Sequence, residues 1–346
     1  MHALRAVGIV FLVCLGSDSW AEPMATGQLP NTMHAAAIDR GGDVSVLTLH
    51  TLPVPKTGAN EVLIALDTAG VGIWDVGVRR HPDELQHSTF PLVLGTDGAG
   101  TIVAIGSNVH GFKPGDPVYS YSWDNPQGGF YAEYVAVPAD RVGHLPRSIG
   151  LRDAGAIATT GLTAIQGVDD FLHLKPGETV LILGASGGVG SLAVEFAKLR
   201  GARVLAAASG EDGLNFVKKI GADAVVDSRT GDIAGAARAF APKGIDAILA
   251  LAGGEVLEHC IDTLRKEGRV AYPNGVSPKP KARPGISMVV YDATPGAREF
   301  ERLNKAIDEA HPHITIAVEY PLANAAQAQE RMEAGHVLGK IILRIH

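Results

Sequence analysis

The rhythm of apolar and polar positions along the chain changes near residue 151. Before it, short alternating apolar runs are broken at close intervals by glycine and proline. These runs predict strands at His34–Asp39, Val44–Leu49 (after a Gly41-Gly42 turn), Glu61–Thr68 and Tyr131–Val137. Further strands are expected within G-T-D-G-A-G-T-I-V-A-I-G, after Pro91–Gly95, and following the turn K-P-G-D-P-V in Phe112–Val118. Gly70–Arg79 reads as a loop leading into a short helical segment. Many short strands with frequent turns predict a small β-barrel-type domain.

Beyond residue 151, compact apolar runs alternate with stretches of helical spacing. Helices are predicted over Asp153–His173, Ser191–Leu199, Gly213–Ile220, Ile233–Phe240, Val256–Lys266, Glu299–His311 and Ala323–Gly335. Strands fall at Thr179–Leu183, Arg203–Ala208, Ala224–Asp227, Ala247–Leu251, Gly268–Tyr272, Thr315–Glu319 and Gly339–Ile345. That alternation predicts a doubly wound α/β domain with a parallel sheet. The expected division is 33–151 for the first domain, 152–317 for the second and 318–346 for a return to the first.

One junction carries chemistry. Between the strand at Thr179–Leu183 and the next helix lies G-A-S-G-G-V-G: Gly184, Ala185, Ser186, Gly187, Gly188, Val189 and Gly190. Glycines let a pyrophosphate approach the backbone, where the N–H groups and positive end of the helix receive it. Ala185 stands at the first position of the G-x-G-x-x-G fingerprint, with Gly187 and Gly190 at the others. Glycine turns also serve plain helix–sheet packing; the flanking strands and helix favour a nucleotide.

The next strand ends V-L-A-A-A-S at Ser209, without the carboxylate that receives a ribose 2′-hydroxyl in NAD-binding domains. Ser209 and the N–H of Gly210 are candidate donors to a 2′-phosphate, with charge from Lys218 or Arg229. Lys218 faces the loop if the helix begins near Gly213. Glu211 and Asp212 oppose this reading, but an exposed acidic pair counts for less than direct donors. NADP is therefore the expected cofactor.

Composition adds exclusions. With a formal net charge of −7, the chain has no basic nucleic-acid footprint. Cys14 and Cys260 are the only cysteines, too few for a disulfide framework or a four-cysteine zinc site. Met1–Ala21 has a short basic start, an apolar run and small residues before Glu22, the grammar of an export signal followed by a linker at 22–32. A start at Met24 or Met33 is the alternative. The two readings place the protein outside the cytoplasm or within it.

Several motifs together resemble the medium-chain dehydrogenase/reductase family. P-L-V-L-G-T-D-G-A-G-T-I-V-A-I-G from Pro91 and F-K-P-G-D-P-V from Phe112 look like its first-domain signature, and T-T-G-L-T-A from Thr159 like its inter-domain helix. The glycine turn and E-A-G-H-V-L-G-K-I from Glu333 are similar to the quinone oxidoreductase branch. The resemblance implies a GroES-like catalytic domain joined to a Rossmann-type domain, and covers nearly everything from Met33 onward.

The chain departs from the zinc alcohol dehydrogenases of that family at both metal positions it can be matched to. A-G-V-G-I-W-D, ending at Asp75, lacks the cysteine, and Gly95-Thr96-Asp97 replaces the G-H-E triplet. His81 and His87 lie at loop-like positions. No metal is expected. Hydride delivery to a quinone or an α,β-unsaturated carbonyl suits such a site, since the developing negative charge is already delocalised. Enoyl or carbonyl reduction, and non-catalytic sensing of NADPH, are the alternatives.

By resemblance the cleft presents Gly72, Trp74, Thr96 and Tyr121, with Asp75 as the catalytic-site carboxylate that orders the loop. Trp74 can equally be core. Thr163 matches a cofactor-contacting threonine or else caps its helix. Tyr119 and Tyr121 are possible proton donors, as is water. The apolar run Ile286–Tyr291 lies near the far edge of the second domain; a bare edge invites pairing, and a homodimer joined there is expected.

Overall fold

The computed structural model describes residues 29–86 and 89–346. The leader Met1–Ala21, most of the linker, Cys14 and His87 lie outside the described residues. Thr32–His346 forms one compact unit.

A six-stranded sheet runs in the order Ala224–Asp227, Arg203–Ala208, Thr179–Leu183, Ile245–Ala250, Leu264–Pro273, Ser287–Tyr291. Every adjacent pair is parallel. The chain thus starts in the middle, winds outward one way, then returns to wind out the other. Alternate side chains explain why these strands read as unbroken apolar runs. Val180, Ile182, Val204 and Ala206 join one buried cluster with Phe196 and Leu303, while Leu181, Leu183, Leu205 and Ala207 join another with Ile233 and Leu257. Both faces are covered by helices, so neither parity can be polar.

A second, mixed sheet is built around Glu61–Val71, which pairs antiparallel with Asp97–Ile105, Tyr134–Pro138 and Lys340–Arg344. The last pairing places Ile341 opposite Val71. It carries the C-terminal end back beside Gly72, which is what brings three distant segments together at one site.

The structure shifts several expected elements. Val44–Leu49 is not one strand: Asp43 accepts from Ser45 N at 3.0 Å and caps a 3₁₀ turn, and pairing begins at Thr48. The helix expected to reach Lys266 stops at Ile261, because Leu264 already enters the sheet opposite Ile245. The segment from Asp153 to His173 divides into Leu151–Ala154, Ala158–Gln166 and a π turn at Gly167–Phe171. The expected loop before Arg79 is largely a helix, Ile73–Arg80. The helix after Ser209 begins at Gly210 rather than Gly213, and this changes the site.

Ser287–Tyr291 is the edge strand of the parallel sheet, with Val290 exposed. Among the described residues no helix is long and apolar enough to cross a membrane.

Candidate cofactor and substrate cleft

At the glycine turn the three fingerprint positions do different work. A Cβ on Gly190 would strike Gly184 O and lie 2.6 Å from Ala185 Cα, so this glycine lets the helix close on the strand. A Cβ on Gly187 would meet only Gly184 O, at 3.6 Å; that side is open. Ala185 is fully buried, and its N–H donates to Ala207 O at 3.0 Å, which explains why alanine suffices there. The helix Gly188–Leu199 follows with no side chain capping its N-terminus. Gly188 and Val189, half-buried, open its first turn, and Ser186 O accepts from Gly339 N at 2.9 Å. Open approach, uncapped N–H groups and the helix dipole fit a pyrophosphate.

Thr163 is not a helix cap. It sits within Ala158–Gln166, with its hydroxyl donating to Thr159 O at 2.8 Å. Thr160 is the threonine at the turn: its Cγ2 lies 3.1 Å from where a Cβ on Gly188 would stand.

At the other end, Ser209 Oγ lies 3.0 Å from His336 Nδ1, and His336 Nε2 lies 2.9 Å from Asp212 Oδ2. The N–H of Gly210 is already given to Asp227 Oδ1 at 3.2 Å, which also accepts from Arg229 N at 2.9 Å. Gly210 is therefore not a free donor. The guanidinium of Arg229 comes within 3.1 Å of where a Cβ on Gly210 would stand. Lys218 occupies the last turn of Gly210–Lys219, about 12 Å along the axis from its start. Starting the helix three residues earlier moved Lys218 away from the loop; Arg229 is the cation at the strand end. The His336 ring and the Gly213 N–H hold the Asp212 carboxyl below its ordinary range.

The expected substrate-cleft residues lie where the Gly72 loop, the strand start at Asp97 and the returning C-terminus meet. Asp75 is 1% exposed; its Oδ2 accepts from Gly72 N at 2.7 Å and from Tyr131 OH at 3.1 Å. Burial pushes its carboxyl up to about 7, against the opposing pull of the Gly72 N–H and of Lys340. Trp74 Nε1 donates to Thr96 Oγ1 at 2.7 Å. Lys340, buried at 4%, sets its Nζ 4.4 Å from the Trp74 ring centroid and 3.9 Å from Asp97 Oδ1, with no hydrogen bond of its own. Its Cδ would lie 3.6 Å from a Cβ on Gly188, so the stem runs along the glycine turn. A buried ammonium held only by a ring face and a carboxylate at 3.9 Å, with no hydrogen bond and next to an uncapped helix start, also fits an anionic group.

Tyr121 pairs across the sheet with Asp97, is 7% exposed, and burial raises its hydroxyl above its ordinary range. Tyr119 is withdrawn into the core, donating to Asn304 Oδ1 at 2.7 Å. His81 is exposed at the end of its helix. Among the described residues no three His, Cys, Asp or Glu side chains gather as metal ligands would, and with Thr96 in the triplet the residues present do not fit a catalytic zinc.

Sequence reasoning missed Lys340, His336, Asp227 and Tyr131. The only signal for the first two was the G-H-V-L-G-K stretch itself; burial of a lysine at the start of an apolar strand needs the three segments folded together.

The Asp75 geometry has a measurable consequence. Its folded pKa lies above the ordinary value near 4, so between about pH 4 and 7 the folded chain holds a proton that the unfolded chain has lost. Stability therefore falls as pH rises through that window, by up to an order of 4 kcal/mol. Asp75→Asn, whose amide oxygen can accept both existing bonds, is expected to remove this slope. Thermal unfolding of the two proteins from pH 5 to 8 checks it; parallel curves would refute the assignment.

Two family models match the chain: an alcohol dehydrogenase GroES-like domain over residues 58–147 and a zinc-binding dehydrogenase over residues 220–343. The quinone oxidoreductase of Sus scrofa is 32% identical over 337 residues, covering 92% of this chain and 99% of its own. An NAD-dependent alcohol dehydrogenase of Sulfolobus acidocaldarius is 30% identical, covering 86% and 96%. A solved structure of mycobacterial Rv1454c complexed with NADPH is 26% identical, covers 90% and 100%, and superposes with a TM-score of 0.80.

Proposed function

Because this chain belongs to the medium-chain dehydrogenase/reductase family, in its quinone oxidoreductase-like branch, we propose that it is an NADPH-dependent reductase of conjugated acceptors, a quinone or an α,β-unsaturated carbonyl. One observation carries the reading. The residue in the triplet Gly95-Thr96-Asp97 is a hydroxyl whose oxygen is fixed as an acceptor by the Trp74 N–H, which leaves its proton as the donor to offer a substrate.

Bound NADPH supplies the hydride. Gly187 and the first turn of Gly188–Leu199 bind the pyrophosphate, and Lys340 provides charge beside it. Arg229 and Ser209 face the 2′ end. Thr96 donates to the acceptor's oxygen as negative charge develops there, a contact that strengthens only in the transition state. For an enone, the hydride goes to the β-carbon and a solvent proton to the α-carbon, completing a two-electron reduction. Asp75 is a positioning residue: both its bonds on Oδ2 hold the Gly72 loop and Tyr131, and through them Trp74.

Initial rates of cofactor oxidation with a quinone, an enone and a saturated ketone test the reading. Turnover is expected with the first two, at a higher kcat/KM for NADPH than for NADH at low ionic strength. Equal or reversed cofactor values would mean that Asp212 and Asp227 dominate the 2′ end. Tight cofactor binding with no turnover would mark a sensor instead.

We also propose a homodimer joined edge to edge through Ser287–Tyr291. Val290→Lys is expected to shift sedimentation from dimer to monomer; a wild-type monomer at micromolar concentration would refute the assembly, and a dimeric variant its location.

A further inference from the structure

The C-terminal loop reaches over the 2′ end of the cofactor cleft, and one side chain there links three elements. His336 lies between Ala325–Glu333 and Lys340–Arg344 with a left-handed φ of 49°. Arg331 holds the loop through Gly335 O at 2.8 Å and His336 O at 3.0 Å, and Gly339 N ties it to Ser186 O of the glycine turn. So fixed, the imidazole stands with Ser209 at one nitrogen and Asp212 at the other.

The proton count of that ring decides which way the Ser209 hydroxyl points. An ionised carboxylate only accepts, so the nitrogen facing Asp212 carries a hydrogen in either form. In the neutral ring the other nitrogen is an acceptor, and Ser209 must turn its O–H inward to satisfy it. In the protonated ring that nitrogen donates to Ser209 Oγ, and the Ser209 O–H is released to donate outward. Charge changes in the same sense. With a neutral ring, Asp212 leaves a net negative charge at the strand end; with a protonated ring the pair is neutral. Arg229 with its neighbour Asp227, Arg331, and Glu211 in the same first helical turn as Asp212 also carry charge at this corner. Carboxylates and guanidinium groups as classes keep their charge around neutral pH, and imidazole is the side-chain class that switches there.

We propose that His336 is a proton-operated selector of the dinucleotide: protonated, it turns Ser209 outward and offsets Asp212 so that a 2′-phosphate is accepted; neutral, it withdraws that donor and leaves Asp212 as an acceptor for a ribose 2′-hydroxyl. The selector deepens the assignment of this cleft to a nicotinamide dinucleotide and rests on it. It makes cofactor preference a function of pH rather than a fixed property of the strand end.

Calorimetric Kd values for NADPH and NADH across pH 6 to 8.5, on wild type, His336→Gln and His336→Lys, test it without turnover. In wild type the preference for NADPH is expected to weaken about tenfold on going from the acidic to the alkaline end. The phosphate's own second ionisation, near pH 6, acts in the opposite sense and is common to all three proteins. The glutamine variant should therefore show only that opposite drift, and the lysine variant should keep its NADPH preference at alkaline pH. A wild-type ratio that tracks His336→Gln at every pH overturns the selector while leaving an NADPH preference intact. A wild type that favours NADH throughout, yet loses its pH-dependent shift in His336→Gln, sustains the selector and overturns the NADPH assignment.

Discussion

Gly187→Ala is expected to weaken NADPH binding by roughly 10- to 100-fold while leaving the folded protein as stable as wild type, or slightly more so. The backbone at Gly187 has φ −78° and ψ 177°, an extended conformation that alanine adopts without strain. The added methyl meets nothing closer than Gly184 O at 3.6 Å. Replacing glycine at such a position restricts the unfolded chain and stabilises by about 0.4–1 kcal/mol. Binding is another matter. A phosphate must bring its oxygens within about 3 Å of the helix N–H groups, across the space the methyl fills. Loss of one charge-assisted hydrogen bond is worth about 1.5–3 kcal/mol, hence the range given. Gly190→Ala makes the contrast. Its methyl meets Gly184 O and Ala185 Cα, and overpacking of that kind destabilises by about 1–3 kcal/mol. Calorimetry and thermal unfolding on both variants separate the two roles; a Gly187→Ala protein that binds NADPH like wild type would remove the pyrophosphate from this turn.

Thr96→Val should lower kcat by about 10²- to 10³-fold and leave the NADPH Kd unchanged. The swap keeps the shape and deletes the hydroxyl, and removing one donor to a developing oxyanion has effects of that size. It also strands the Trp74 N–H, which is half-buried, so some loss of stability accompanies it, about 1–3 kcal/mol. Two controls distinguish donation from packing. Thr96→Ser restores the hydroxyl and should restore most of kcat. Trp74→Phe keeps the hydroxyl but frees it to rotate, and should fall between wild type and Thr96→Val. Full activity in Thr96→Val would pass the role of donor to Tyr121, whose hydroxyl makes no hydrogen bond to a described residue.

These expectations rest on features of unequal visibility in the sequence. The strands Thr179–Leu183, Arg203–Ala208 and Ala224–Asp227 were legible to the residue: in the first two, burial on both faces leaves an almost wholly apolar run, and the half-buried edge strand still reads A-V-V before its terminal Asp227. The glycine turn was legible for the same reason that it works: few other residue types fit there. Elements whose limits depend on a partner were not. Leu264 pairs with Ile245 across a bulge, and helical spacing alone gives no hint that the helix must stop at Ile261. Lys218 and Arg229 were both visible as cations; which reaches the strand end turns on where one helix begins. Lys340 and His336 lie far along the chain from the side chains theirs meet, Trp74 and Asp97 for the first, Ser209 and Asp212 for the second. Lys340, charged in sequence, reads as surface until the final strand is paired with Glu61–Val71.

On the proposed function, the site delivers a hydride to the far end of a conjugated system and steadies the oxygen with a hydroxyl. The most direct test is the position of the label after reduction of an α,β-unsaturated ketone with NADPH carrying deuterium at the transferred position. Deuterium on the β-carbon of a saturated ketone, at unchanged rate after chelator treatment, is the predicted result. Deuterium on the carbonyl carbon of an allylic alcohol, or a rate abolished by chelation and restored by zinc, would contradict it.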